Sequence, residues 1–193
     1  MLRTLYDRIL GFAARRHALA ALAVISFVES SIFPIPPDVL LIPMCLADRR
    51  RALWIATVCT LASIVGGFLG YAIGYYAFEA IGERIINFYG LTQQLADFRQ
   101  AFAEYGWWII VIKGATPIPY KLITIASGVA HFPLGAFAAA SVISRGMRFY
   151  LVAALLWWFG EPIRAFIERR LTLVTTIAVM LLVGGFVIVR YVV

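Results

Sequence analysis

Six ionisable side chains lie within apolar stretches of this 193-residue chain: Glu29, Asp38, Lys113, Lys121, Arg145 and Arg148. A charged side chain at the centre of a bilayer costs about 2.5–3.5 kcal/mol on insertion scales, so six unpaired ones would cost roughly 15–20 kcal/mol. If these stretches lie in a membrane, the six groups must pair with one another, face water or bind a polar ligand. They could form ion pairs that hold the helices in place, or they could bind a charged ligand.

The spacing of the first four groups favours ligand handling. Glu29 and Asp38 flank one proline cluster, and Lys113 and Lys121 flank a second. One broken segment is therefore acidic and the other is basic.

Two arginines complete the set. Arg145 and Arg148, three positions apart, share one face of a helix. Two carboxylates against four cations leave a surplus of two positive charges, which a phosphate group would balance. Carboxylates in a low-dielectric site take up protons more readily than in water. The pattern predicts a pathway for an anionic lipid head group, driven or gated by protonation of Glu29 and Asp38.

The composition places most of the chain in lipid. Hydrophobic residues make up 63% of it and charged residues 14%, against about 45–50% and about 25% in soluble domains. The net charge of +7 is typical of the cytoplasmic bias of a membrane protein, and no nucleic-acid module is visible. Cys45 and Cys59 are too few for a disulfide scaffold. We expect no cofactor and no metal.

The first broken segment predicts a re-entrant hairpin over 18–47. Its apolar stretch is too long for one clean span, and it is interrupted by Pro34, Pro36 and Pro37. Because a helix cannot run smoothly through these prolines, two half-helices with both ends on one side are the economical solution. Residues 1–17 alternate apolar residues with arginines and predict an interfacial amphipathic helix.

The second broken segment predicts another re-entrant hairpin over 107–128, interrupted by Pro117 and Pro119. Residues 34–42 align with residues 117–125, so the two segments form an internal repeat. Proline-interrupted segments at corresponding positions of a repeat point to the binding site of a transporter.

Uninterrupted apolar stretches predict spanning helices over 52–78, 134–159 and 171–190. Residues 91–105 carry apolar side chains at helical spacing in a polar context, which predicts an interfacial helix. The predicted fold class is therefore an all-α integral membrane protein, with two proline-broken re-entrant hairpins in an inverted repeat, about three spanning helices and interfacial amphipathic helices. Small residues recur every four positions in the first span and would let another helix or a second copy approach closely: Ala62, Gly66, Gly70 and Gly74.

The arginines support the hairpin topology. With both broken segments as hairpins and one crossing at 52–78, ten arginines share one side: Arg3, Arg8, Arg15, Arg16, Arg49, Arg50, Arg51, Arg164, Arg169 and Arg170. Only Arg84, Arg99 and Arg190 fall on the other side. This asymmetry predicts a multi-pass membrane protein with a cytoplasmic N-terminus.

The segment from Glu29 to Asp38, ESSIFPIPPD, is similar to the Glu…Pro-x-Pro…acid motif of the DedA family, whose members are also called SNARE-associated or VTT-domain proteins. The segment from Lys113 to Lys121, KGATPIPYK, resembles the second motif of the YqaA-like branch of that family. The resemblance covers roughly residues 18–160, which we take as one membrane domain.

The resemblance implies two re-entrant hairpins that face each other from opposite sides of the membrane. It also implies lipid translocation that depends on the proton-motive force, with undecaprenyl phosphate or another phospholipid as substrate. Glu29 and Asp38 match the acidic positions of the family. The basic positions depart from it, since the main branch has two arginines around a single proline, whereas Lys113 and Lys121 flank Pro-x-Pro.

Three alternatives compete with lipid translocation. A membrane phosphatase needs catalytic histidines near its arginines, but the chain has only His17 and His131, and neither follows Ser144 and Arg145. We therefore expect no enzyme activity. A proton-coupled transporter of small solutes or ions would use the same carboxylates. A structural membrane protein would need the ion pairs only for folding.

Overall fold

The computed structural model describes residues 17–32, 36–90, 92–114 and 120–169. Within these ranges the chain is helical and contains no strand, which confirms the all-α expectation. The helices are α1 (Ala18–Ser31), α2 (Asp38–Ala47), α3 (Ala52–Ala77), α4 (Glu83–Tyr89), α5 (Thr92–Trp108), α6 (Tyr120–Val129) and α7 (Leu134–Arg169). The helices predicted over 1–17 and 171–190 lie outside the described residues, except for His17.

Short segments of other helical types join these helices. A 3-10 turn, Arg49–Arg51, precedes α3, and a π-helical segment, Phe78–Gly82, follows it. A second π-helical segment, Ile109–Lys113, extends α5. The helix predicted over 91–105 thus runs on into the second broken segment, because neither proline nor glycine interrupts the chain between Gly106 and Lys113.

Two stretches of helix in the described part are long and apolar enough to cross a membrane. They are Arg49–Ala80, with a mean hydropathy of 2.0, and Leu134–Gly160, with a mean hydropathy of 1.3. These stretches coincide with the predicted spans over 52–78 and 134–159. Helix α7 does not end at 159, however, but continues to Arg169.

Helices α1 and α2 form a hairpin beside the N-terminal half of α3. Helix α1 runs from the start of α3 to its middle, where the Ser30 and Ser63 hydroxyls are 2.7 Å apart. Helix α2 then returns, so that the Cys45 thiol lies 4.0 Å from the carbonyl oxygen of Ala52. Both open ends of this hairpin therefore lie near the start of α3.

The second broken segment approaches from the other end of α3. Helix α6 packs along the C-terminal half of α3, where Thr124 contacts Gly70. Near the far end, Phe102 of α5 packs on Phe132, with ring centroids 5.6 Å apart. From there the π-helical segment leads inward, and Gly114 lies against Ser144 in the first third of α7. The two broken segments thus meet halfway along α3.

The small-residue stripe of α3 makes this close packing possible. A Cβ atom at Gly66 would collide with the backbone of Phe27 on α1, and one at Gly74 would collide with the backbone of Ile125 on α6. The stripe therefore receives two helices of the same chain. Its three glycines, Gly66, Gly70 and Gly74, are buried in these contacts.

Two apolar cores flank the meeting point. The first joins α1, α2, the start of α3 and the central part of α7, and includes Leu22, Leu41, Cys45, Ile55 and Phe149. The second joins α5, α6 and the start of α7, and includes Phe102, Ile110, Ile123, Phe132 and Phe137. Buried polar side chains lie between these cores, where α1, α3, α6 and α7 come together.

Candidate functional site

The two acidic residues lie on either side of the first break. Glu29 is in the last turn of α1, and Asp38 is the first residue of α2. Helix α2 starts here because Pro36 and Pro37 lack backbone donors, and their carbonyls accept the amides of the following residues. An acidic residue in the first turn also interacts favourably with the helix dipole. Pro34, predicted to break the same segment, lies outside the described residues.

Glu29 pairs with Arg145 in the interior. The Nη2 atom of Arg145 lies 2.9 Å from Glu29 Oε2, and the side chains are 0% and 7% exposed respectively. Arg145 Nε donates to Ser63 Oγ at 2.7 Å, and Nη1 lies 3.4 Å from the carbonyl oxygen of Gly114. Helices α1, α3 and α7 and the end of the second π-helical segment thus all contribute to this pair.

Aromatic rings and a backbone amide complete this environment. The guanidinium of Arg145 lies over the rings of Tyr120 and Phe149, with its carbon 4.5 Å and 4.7 Å from their centroids. Aromatic faces attract a desolvated guanidinium. The backbone amide of Tyr120 donates to Glu29 Oε1 at 3.4 Å. The start of α6 therefore contacts both members of the pair.

The second ion pair is more accessible. Arg148 Nη2 lies 2.6 Å from Asp38 Oδ2, and the side chains are 19% and 25% exposed. Because Arg145 and Arg148 are three residues apart on α7, one helix face meets both acids of the first hairpin. The site thus has an enclosed pair, Glu29 with Arg145, and an accessible pair, Asp38 with Arg148.

Lys121 of the second broken segment contacts the backbone of the first. Lys121 donates to the carbonyl oxygen of Ile32 at 3.0 Å, directly after the end of α1. A cation there interacts favourably with the dipole of α1. Lys113 ends the second π-helical segment, and its side chain lies outside the description, as do Pro117 and Pro119.

Buried hydroxyl groups join the site although the sequence did not single them out. Ser30 Oγ lies 3.1 Å from Glu29 Oε2 and 2.7 Å from Ser63 Oγ. Thr124 donates to the carbonyl oxygen of Ser30 at 3.1 Å. The presence of serines within apolar helices could have indicated a polar site. It is an ambiguous signal, because a serine in a helix can also hydrogen-bond to the backbone of its own helix.

The described residues hold no cluster of His, Cys, Asp and Glu with the arrangement of a metal site. Cys45 and Cys59 are free and buried. What the site offers is two arginines whose charges are held by carboxylates, with Lys121 nearby at the same break. Arginine binds phosphate through the same parallel N–H donors that bind carboxylate, so a phosphate group could replace either acid.

Comparisons with known proteins identify the family. The VTT domain matches residues 35–158, which include most of the site. A Haemophilus influenzae protein and a Histophilus somni protein, both described as uncharacterized, are each 35% identical to this chain over 187 residues, with 97% of either chain covered. No solved structure matches the chain. Since the domain match covers more than half of the sequence, this chain belongs to the VTT-domain family, also called the DedA family, a family of membrane proteins linked to membrane transport.

Proposed function

We propose that this protein translocates a membrane lipid with an anionic phosphate head group, and that protonation of Glu29 and Asp38 gates or drives the movement. The substrate is undecaprenyl phosphate or another phospholipid. The observation that carries the proposal is that both acids of the first break bind arginines of one helix, α7. The carboxylates are then the resting counter-ions of the residues that receive the phosphate.

Proton uptake supplies the release step. Two unit charges 4 Å apart attract each other by about 4 kcal/mol at an effective dielectric constant of 20. Protonation of a carboxylate removes most of that attraction and frees its arginine for a phosphate. When the phosphate leaves, the carboxylate loses its proton and takes the arginine back. The charge of the arginine is thus balanced by the carboxylate before the phosphate binds and by the phosphate while it is bound.

The exposures of the two pairs suggest an order. Arg148 and Asp38 are partly exposed, whereas Arg145 is 0% exposed. A head group would therefore meet Arg148 first, near Lys121, and reach Arg145 only after the enclosed pair opens. Lys113 is the fourth cation of the proposed binding set, as its position at the end of the second π-helical segment suggests.

The proposed setting is a bacterial inner membrane. The two broken segments would be re-entrant hairpins that enter from opposite sides, since their helices approach the middle of α3 from its two ends. The excess of arginines, including Arg49–Arg51, would place the N-terminus in the cytoplasm. In that orientation the proton-motive force could drive proton uptake.

Reconstituted vesicles test the proposal. Labelled undecaprenyl phosphate and labelled phosphatidylethanolamine are followed across the bilayer with wild-type protein and with five variants, Glu29→Gln, Asp38→Asn, Lys113→Ala, Lys121→Ala and Arg148→Ala. We expect each variant to fold and to move lipid about tenfold more slowly or worse. Asp48→Asn is the matched control, because Asp48 pairs with Arg51 at an exposed position. Normal movement in all five variants would contradict the proposal.

A proton-coupled transporter of small solutes or ions is the second candidate. The enclosure of Glu29 and Arg145, at 7% and 0% exposure, favours it, since a solute carrier needs an occluded site. It predicts pH-driven solute uptake by vesicles in which neither labelled lipid moves.

A further inference from the structure

A chain of hydroxyl groups connects the two members of the enclosed ion pair. Arg145 Nε contacts Ser63 Oγ at 2.7 Å, Ser63 Oγ contacts Ser30 Oγ at 2.7 Å, and Ser30 Oγ contacts Glu29 Oε2 at 3.1 Å. All four residues are buried. With the direct contact of 2.9 Å between Arg145 and Glu29, these bonds close a ring.

Arg145 is the donor at one end of both arms of this ring, and Glu29 is the acceptor at the other. A guanidinium N–H can only donate, so Ser63 Oγ is the acceptor for Arg145. Among the contacts described, the remaining hydrogen of Ser63 has Ser30 Oγ as its acceptor. Ser30 has a single hydrogen and two acceptors, Glu29 Oε2 at 3.1 Å and the carbonyl oxygen of Ser26 at 3.0 Å. When that hydrogen is donated to Glu29, the chain is polarised from the cation towards the carboxylate.

We propose that Ser30 is a positioning residue that sets the pH at which Glu29 takes up a proton. While Glu29 is ionised, the Ser30 hydroxyl donates to it and stabilises the charge. When Glu29 is protonated, that hydrogen turns to the carbonyl oxygen of Ser26 and remains satisfied. The inference rests on the proposed function in one respect only, because that function makes Glu29 protonation the gating step.

The charged and titratable neighbours of Glu29 stay the same when Ser30 is changed. In the described part of the chain they come from each helix packed around it: Asp38 from α2, Cys59 from α3, Tyr120 and Lys121 from α6, and Arg145 and Arg148 from α7. A comparison of Ser30 variants therefore isolates the hydroxyl.

The sign and size of the effect follow from the lost donor. Ser30→Ala removes a hydrogen bond that favours the ionised carboxylate, so Glu29 should take up its proton at a pH about one unit higher. Ser30→Cys keeps the shape of the side chain and a weaker donor, and should shift the midpoint less in the same direction. Ser31→Ala is the matched control, since Ser31 donates only to the Phe27 and Val28 carbonyl oxygens of its own helix.

Infrared titration of the purified protein gives the midpoint without a substrate. The carboxyl band that disappears in Glu29→Gln is assigned to Glu29 and followed against pH in wild type, Ser30→Ala, Ser30→Cys and Ser31→Ala. We expect upward shifts in the Ser30 variants and none in Ser31→Ala. A Glu29 band that does not titrate, an unchanged or lowered midpoint, or an equal shift in Ser31→Ala would overturn the inference.

The pH profile of lipid movement in vesicles separates this inference from the proposed function. A shifted Glu29 midpoint without lipid movement in the wild type would refute the proposed function and leave the role of Ser30 intact. Lipid movement with an unshifted midpoint in Ser30→Ala would refute the role of Ser30 alone.

Discussion

Removal of each arginine in turn should separate the two ion pairs by their energetic cost. Arg145→Met leaves the Glu29 carboxylate without its cation at 7% exposure. Breaking such a buried pair on one side costs about 3–5 kcal/mol. Arg148→Met leaves Asp38 at 25% exposure, so we expect a smaller loss of about 1 kcal/mol.

A double variant tests whether Arg145→Met loses stability because it leaves the buried Glu29 carboxylate without a cation. Glu29→Gln combined with Arg145→Met buries no charge, because the amide and the thioether are neutral. The double variant should therefore be more stable than Arg145→Met alone, although it lacks both partners. Arg51→Met is the control, since Arg51 is 69% exposed in its pair with Asp48 and should cost almost nothing.

Thermal unfolding in detergent, followed by tryptophan fluorescence, measures these differences. For a chain of this size, each kcal/mol lowers the Tm by about 2–4 °C, so Arg145→Met should lose roughly 6–20 °C. Equal losses for Arg145→Met and Arg148→Met would refute the distinction between an enclosed and an accessible pair. A double variant no more stable than Arg145→Met would refute the role assigned to the stranded carboxylate.

Three further predictions concern the packing and the second broken segment. Gly74→Ala should destabilise the protein by about 1–3 kcal/mol because its Cβ meets the backbone of Ile125. Gly146→Ala, inside α7 with open space around it, should stabilise the protein by about 0.5–1 kcal/mol. Thermal unfolding measures both. Lys121→Met should weaken the binding of inorganic phosphate by the protein in vesicles, while the Tm falls by only a few degrees. Unchanged phosphate binding would contradict the assignment of Lys121 to the head-group site. A maleimide should label Cys59 only after unfolding, as mass spectrometry would show, and rapid labelling of the folded protein would contradict its burial.

Local sequence features predicted the positions of several elements well. Helix α2 starts at Asp38 because two prolines precede it, and proline favours the first turn of a helix. The long helices α3 and α7 follow from apolar length alone. The six ionisable residues stood out because charge is rare in such stretches. These features depend only on residues that are close in the sequence, so they can be predicted without knowing how the helices pack.

The partners of the charges could not be predicted, because they depend on how distant helices pack. Glu29 and Arg145 are separated by 116 positions, and Asp38 and Arg148 by 110. The sequence left the partner of each acid open, and in the described contacts Lys121 donates to the carbonyl oxygen of Ile32.

The glycines and hydroxyls of α3 were equally ambiguous from the sequence. A stripe of glycines indicates close approach but not by which helix, and here Gly66 and Gly74 receive α1 and α6 of the same chain. Ser63 gave no signal of its own, because its importance comes from the position of Arg145 on α7.

The most direct test of the central claim compares undecaprenyl phosphate with undecaprenol, the same chain without its phosphate, in vesicles that contain the wild-type protein. If the arginines released by Glu29 and Asp38 receive the head group, only the phosphate lipid should be moved, and Arg148→Gln should abolish the difference between the two lipids. Equal movement of both lipids by the wild-type protein would contradict the claim.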